Sequence, residues 1–198
     1  FNSNYHLNSY LSSLEKYLKK MPDFNNFKTI DLISEKSDVL YIGCDLNKFD
    51  QHKKNQDSQV PLILWNHRWE FDKNPETFFN TLFKLKNNNI NFELAVIGEQ
   101  FKEYPKIFDK AKQILETNIV QFGFCESFTE YAQWLWKADI LPVTSNQDFF
   151  GISIIEASYC ETYPLLPERL SYPELFDINT NPGCFYNNED DLYLKLKD

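Results

Sequence analysis

Val60-Pro-Leu-Ile-Leu-Trp65, followed at once by Asn66-His-Arg-Trp-Glu-Phe-Asp-Lys-Asn-Pro75, sets a pattern that the rest of the chain repeats. The first six residues are a short, nearly continuous apolar run, as in a parallel strand buried on both faces. Asn74-Pro75 supplies a helix cap and a first helical position. Phe78, Phe79, Leu82 and Phe83 then give that helix one apolar face, and Asn87-Asn-Asn89 ends it. Downstream, Phe92–Ile97, closed by Gly98, precedes a helix over 105–116 with Ile107, Phe108, Ala111, Ile114 and Leu115 inward. Ile119–Phe122, closed by Gly123, precedes a helix opened by the capping box Ser127-x-x-Glu130, with Tyr131, Trp134 and Leu135 on one face. Asp139–Val143 precedes a helix from Gly151 to Cys160, and Tyr163–Leu166 is a fifth strand. Cys184–Tyr186 reads as a last strand, and Asn188 as the cap of a terminal helix. Five such units without an internal repeat predict an α/β class domain over 60–198. The expected architecture is a Rossmann-like, doubly wound parallel sheet with right-handed crossovers and helices on both faces.

The region before it is of another kind. Leu7, Leu11, Leu14, Leu18 and Met21 recur at helical spacing over 4–21, and Pro22 stops that helix. Val39–Ile42 is a short strand-like run, and 45–59 is almost wholly polar, as a linker would be. Residues 1–59 are therefore read as a leading segment and linker. The chain starts at Phe1 rather than Met, so a piece of a longer protein is expected.

Composition narrows the function classes. Of 198 residues, 42% are hydrophobic and 17% aromatic, which suits a packed core. The net charge is −9; the first 60 residues carry 8 basic and 8 acidic side chains, the remainder 12 and 21. That balance argues against gripping nucleic acid by charge alone, and against an anionic membrane surface. No apolar run approaches the ~20 residues of a membrane helix. Cys44, Cys125, Cys160 and Cys184 are widely spaced and unaccompanied by clustered histidines. Free thiols in a reducing, cytoplasmic setting are expected rather than zinc or disulfides.

In open α/β sheets ligands bind beyond the carboxyl ends of the strands, so the segments after each strand are the places to search. After the first strand, Arg68 and Lys73 put two cations into an otherwise acidic domain, a fork of donors and a point charge suited to phosphate oxygens. The alternative is surface pairing with Glu70 and Asp72. After the fourth strand comes Asp148-Phe-Phe-Gly-Ile-Ser-Ile-Ile-Glu156. Gly151 allows close backbone approach, and the helix it opens aims free N–H groups and positive dipole at the same spot. Glu156 can accept from a ribose diol, and Asp148 from hydroxyls beyond the phosphates. The alternative is a dipole-stabilising acid and a solvated helix glutamate. Together the segments describe a site for a nucleotide-diphospho-sugar. There is no Gly-x-Gly-x-x-Gly after the first strand, no Walker loop and no Asp-x-Asp. His67 ranks lower, as either a donor contact or a structural histidine, and the Tyr172-Pro-Glu-Leu175 turn as either cleft lining or a loop end.

Arg68 with Lys73, then Asp148-x7-Glu156 enclosing Phe150-Gly151, resembles the donor-binding half of the family-4 retaining glycosyltransferases of GT-B architecture. The resemblance implies that Arg68 and Lys73 bind the donor diphosphate, Glu156 the ribose and Asp148 the sugar. It implies backbone contacts from Phe150, Gly151 and Ile152, and a base near Gly98 and the Gly123-Phe124-Cys125 loop. The first acid is Asp148 where the family usually has Glu, one methylene longer. Phe1-Asn-Ser-Asn4, Leu64–Glu76, Phe149-Phe-Gly151 and Tyr172-Pro-Glu174 are similar to the tRNA-queuosine α-mannosyltransferase group within that family. That implies mannose transfer from GDP-mannose to queuosine in tRNA, with retention and with no cofactor or essential metal. It also implies that 1–59 is the remnant of an acceptor-side domain with its linker, the missing part carrying the tRNA contacts, and that the fragment alone is inactive. Two other readings remain open: a family-4 transferase with a lipid or polysaccharide acceptor, and a non-catalytic nucleotide-sugar-binding module.

Overall fold

The computed structural model describes residues 1–23, 25–53 and 59–197. Six strands form one sheet: β1 (Leu62–Trp65), β2 (Glu93–Val96), β3 (Ile119–Phe122), β4 (Ile140–Pro142), β5 (Tyr163–Pro167) and β6 (Phe185–Tyr186). Their order is β3-β2-β1-β4-β5-β6, with every neighbouring pair parallel. This is the doubly wound arrangement expected from the strand–helix alternation. The order reverses between β1 and β4, and the crevice outside their carboxyl ends is where such sheets bind ligands.

Continuous apolar strands follow from burial on both faces. Leu62 and Leu64 of β1 enter one core with Ala95 and Ile97, while Ile63 and Trp65 enter the other with Leu94 and Val96. The second core is closed by α3 (Pro75–Asn87), α4 (Ile107–Ile114) and α8 (Glu189–Lys197), whose Phe78, Phe79, Phe108 and Tyr193 contribute to it. The first is closed by α5 (Phe128–Lys137) and α6 (Ile152–Tyr159) through Ala132, Leu135, Ile154 and Ala157. Helix starts follow their caps: Asn74 Oδ1 accepts from Thr77 N–H, and Ser127 Oγ from Glu130 N–H. Glu130 reaches back to the N–H of Glu126, one residue ahead of the usual capping-box partner.

The leading segment holds α1 (Asn4–Leu18) and α2 (Lys28–Lys36), and α7 (Tyr172–Leu175) follows β5. Helix α1 ends at Leu18 rather than at Pro22. Four sequence expectations are corrected here. Val39–Ile42 forms no strand: Leu40 is 83% exposed, and its N–H donates to Phe1 O rather than to a sheet edge. The polar stretch 45–59 is not a plain linker where it is described, because 47–52 is a 3-10 helix. Its Phe49 is fully buried against Phe128 and Tyr131, and its carbonyl accepts from Trp136 Nε1–H. Residues 54–58 of that stretch lie outside the described residues. Ile114 is exposed, because the stripe that α4 and its cap turn to the core runs through Phe108, Ala111 and Leu115. The Tyr172-Pro-Glu-Leu175 turn is a helical turn with Tyr172 fully buried. Among the described residues no helix is long and apolar enough to cross a membrane.

Candidate functional site

Two loops meet at the switch point and are stitched together by main chain. The N–H groups of Asn146 and Gln147 both donate to Asp72 O, and Thr144 Oγ donates to the carbonyls of Lys73 and Asn74. Lys73 sits at the end of a 3-10 turn, Phe71–Lys73, that brings its side chain back under the loop after β4. Its ammonium donates to Gln147 O at 3.0 Å and faces Asp148 Oδ2 at 3.4 Å and Asp72 Oδ2 at 3.3 Å. Asp148 in turn accepts from Phe150 N–H and from the Tyr172 hydroxyl. Burial and the Asp148 charge raise the Tyr172 phenol well above its ordinary range, so it stays a neutral donor.

These loops line a cleft of ≈ 450 Å³ with Asn2, His67, Arg68, Gly151 and Ser153. A second lobe of ≈ 400 Å³ shares Asn66 and Arg68 with it and is lined by Gly98, Phe124, Cys125, Ser127 and Tyr131. Both lie in the size range of small-molecule sites. Gly151, at φ 86, caps α6 without a side chain, so the N–H groups of Ile152 and Ser153 keep no partner among the described residues. That leaves the positive end of α6 facing the first lobe.

The site residues proposed from sequence divide between the lobes. His67, Arg68, Lys73, Asp148, Phe150, Gly151 and Ile152 line the first. Gly98 and Phe124 line the second, and Gly123 (φ 131) turns the chain just before Phe124. Glu156 lies behind the second lobe: its Oε2 accepts from the Tyr131 hydroxyl at 2.9 Å and its Oε1 is 3.7 Å from Lys48. The surface pairing weighed for Arg68 is present, since its guanidinium meets Glu70 at 3.1 Å. At 53% exposure that pair holds it loosely. His67 is buried. Burial first, and the Lys73 cation second, push its imidazole down to about 4, so it is neutral at neutral pH. Its Nδ1 lies 3.5 Å from Ser153 Oγ. Burial pushes the Cys125 thiol up to about 12, so it is inert lining.

Sequence reasoning missed Asn2, Asn66, Tyr131 and Ser153. Asn66 follows β1 directly, and the rule of searching after strands reaches it; its Nδ2 donates to Ser153 O. Tyr131 read as core. Asn2 lies in the Phe1–Asn4 stretch that carries the family resemblance, but nothing local marks it as a site residue, because its place depends on contacts made across the chain. Glu174 makes those contacts. Its carboxylate accepts from the N–H groups of Asn4 and Tyr5, the first two of α1, and from the Tyr41 hydroxyl. Ser3 Oγ accepts from the third, His6 N–H.

A family model described as "Glycosyl transferases group 1" matches residues 47–195. The chain belongs to that family. A second model, "tRNA-queuosine alpha-mannosyltransferase N-terminal", matches residues 1–44. The tRNA-queuosine alpha-mannosyltransferase of Drosophila melanogaster is 32% identical over 204 residues, covering 99% of this chain and 53% of the relative. The chain thus spans about half the length of that curated relative. Among solved structures, the C-terminal domain of a group 1 family glycosyl transferase (LpcC) from Francisella tularensis matches with a TM-score of 0.58 at 18% identity, covering 78% of this chain and 86% of its own. A glycosyltransferase from Rickettsia africae ESF-5 matches with a TM-score of 0.64 at 21% identity, covering 86% of this chain and 50% of its own. These two share the fold.

Docking of the leading segment carries a pH signature. Burial opposes ionisation of Glu174, but hydrogen bonds from Asn4 N–H, Tyr41 and Tyr5 N–H outweigh it and hold its carboxyl below the ordinary 4.5. A depressed carboxyl stabilises the docked state above its unfolded value and loses that contribution as pH falls through the folded one. The Asn4 and Tyr5 amide resonances are expected to shift together with a midpoint below 4.5. Glu174→Gln removes that transition. A midpoint at or above 4.5 contradicts this account.

Proposed function

We propose that this chain is the donor-binding part of a retaining hexosyltransferase that moves mannose from GDP-mannose to queuosine in a tRNA. Residues 60–198, with the 3-10 turn 47–52 packed on them, hold the donor, and the segment before that turn belongs to an acceptor-side domain. The observation carrying the donor reading is the convergence of Lys73, Arg68 and the uncapped α6 N-terminus on one cleft at the switch point. The name of the Drosophila melanogaster relative and the family match over 1–44 support the acceptor and the sugar.

In this reading the diphosphate lies where the two lobes meet. The nucleoside extends past Gly98 and Phe124 toward Tyr131 and Glu156, and the sugar lies toward His67 and Asp148. Charge builds on the diphosphate as the glycosidic bond breaks. Lys73 is held in the cleft by Gln147 O, Asp72 and Asp148, so its charge is in place before the donor binds, and one of its longer carboxylate contacts gives way for it to reach the diphosphate. Arg68 has to leave Glu70 to take part, and its exposure permits this. Ile152 and Ser153 N–H groups supply dipolar donors. Asp148, held by Lys73, Phe150 N–H and Tyr172, presents a fixed carboxylate to sugar hydroxyls. The test is product analysis: the full-length protein is given GDP-mannose and queuosine-containing tRNA, with lipid acceptors in parallel. Mannosyl-queuosine is expected. Transfer to lipid alone, or donor binding without transfer, overturns the assignment.

A further inference from the structure

We infer that Asn2, on the leading segment, reads the transferred sugar through its side-chain N–H₂ group. The inference rests on the donor reading above and deepens it.

Asn2 lines the same lobe as His67, Lys73, Asp148 and Gly151, and is absent from the lining of the nucleoside lobe. With the diphosphate at the shared rim of Asn66 and Arg68, the group beyond it occupies the lobe that Asn2 walls. That group is a hexose, a ring of hydroxyls. The sheet domain gives this lobe an acceptor in Asp148, and Asn2 adds a side-chain donor from outside that domain.

The amide is aimed by its neighbours. Its Oδ1 accepts from His6 Nδ1–H at 2.9 Å and lies 3.5 Å from Ser3 Oγ, which uses the acceptor end. Its Nδ2 makes no hydrogen bond among the described residues. His6 is locked by stacking on Phe149, with ring centroids 4.2 Å apart, and by edge contact with Phe1. Ser3 Oγ also lies 3.1 Å from the Phe149 carbonyl. Phe149 sits between Asp148 and Gly151, so the leading segment is fastened to the very loop that forms the sugar end of the cleft. Glu174 fastens the next turn. An amide held at its oxygen, with its nitrogen left over, is a preorganised donor.

The test is calorimetric titration of the full-length protein with GDP-mannose and, separately, with GDP. Asn2→Ala removes the amide. Asn2→Asp keeps the oxygen that His6 needs and removes the N–H donor. Both are expected to weaken GDP-mannose about fivefold, the scale of one hydrogen bond, and to leave GDP within about twofold. Equal weakening of both ligands shows that Asn2 acts through the fold and overturns the inference, as does wild-type GDP-mannose affinity in Asn2→Asp. If the wild-type protein binds neither ligand, the donor reading itself falls, a result distinct from either of these.

Discussion

Gly98→Ala is expected to lower the melting temperature by roughly 4–12 °C and to abolish nucleotide-sugar binding. A Cβ built at Gly98 would lie 1.6 Å from the His67 carbonyl oxygen and 2.5 Å from its carbonyl carbon. Both are main-chain atoms, so no rotamer change relieves the overlap. The backbone there is pinned on each side: Ile97 N–H donates to Trp65 O, and Trp69 N–H to Glu99 O. Relief must come from pushing the exit of β1 away from that of β2. Overpacking a tight site typically costs 1–3 kcal/mol and more where backbone must move, so about 3 kcal/mol is expected. The opposing gain, from a less flexible unfolded chain, is at most about 1 kcal/mol. The net of 2–3 kcal/mol or more translates to the stated shift for a chain of this length. Binding suffers separately, because the displaced carbonyl belongs to His67 and the next residue is Arg68. Gly43→Ala is the control: a Cβ there meets nothing within 4 Å, and little change is expected. A Gly98→Ala protein melting within about 2 °C of wild type refutes the argument.

How much of this was legible beforehand depended on how local the cause was. Strand β1 was legible because a strand buried on both faces needs an unbroken apolar run, and Leu62–Trp65 is one. Val39–Ile42 is equally apolar yet forms no strand, because a strand also needs a partner edge and none is offered to it. Phe49 is a single aromatic ring in a polar stretch; its full burial comes from α5, some 80 residues on. The site divides the same way. Arg68, Lys73, Asp148 and Gly151 each follow a strand at the switch point, so topology alone brings them together. Which carboxylate each cation meets was not legible: Arg68 takes Glu70, whereas Lys73 is shared between Asp72 and Asp148. Asn2 and Glu174 lie in stretches that carry the family resemblance, but their roles were not legible, since these arise from a contact spanning 170 residues.

That difference between the two cations yields the other large effect. Lys73→Ala in the full-length protein is expected to lower turnover by about 10²–10³-fold, the scale of losing one preorganised donor to developing charge. It should also lower stability by about 1–3 kcal/mol, because Lys73 is 11% exposed and its removal strands Asp148, itself 16% exposed, without its cation. Arg68→Ala is expected to lower turnover while leaving stability unchanged within about 0.5 kcal/mol, since an exposed pair with Glu70 contributes little. The two losses at Lys73 separate in the double variant Lys73→Ala/Asp148→Asn. Asparagine keeps an oxygen for the Phe150 N–H and carries no charge to strand, so stability should return. Turnover should not, because nothing has replaced the ammonium. Recovery of turnover together with stability would mean that Lys73 serves only to neutralise Asp148, and the electrostatic role assigned to it would fail. Asp148→Asn alone is the reference, since it removes the carboxylate assigned to the sugar: a turnover in the double variant well below that of Asp148→Asn, in a protein of restored stability, leaves the missing positive charge as its cause.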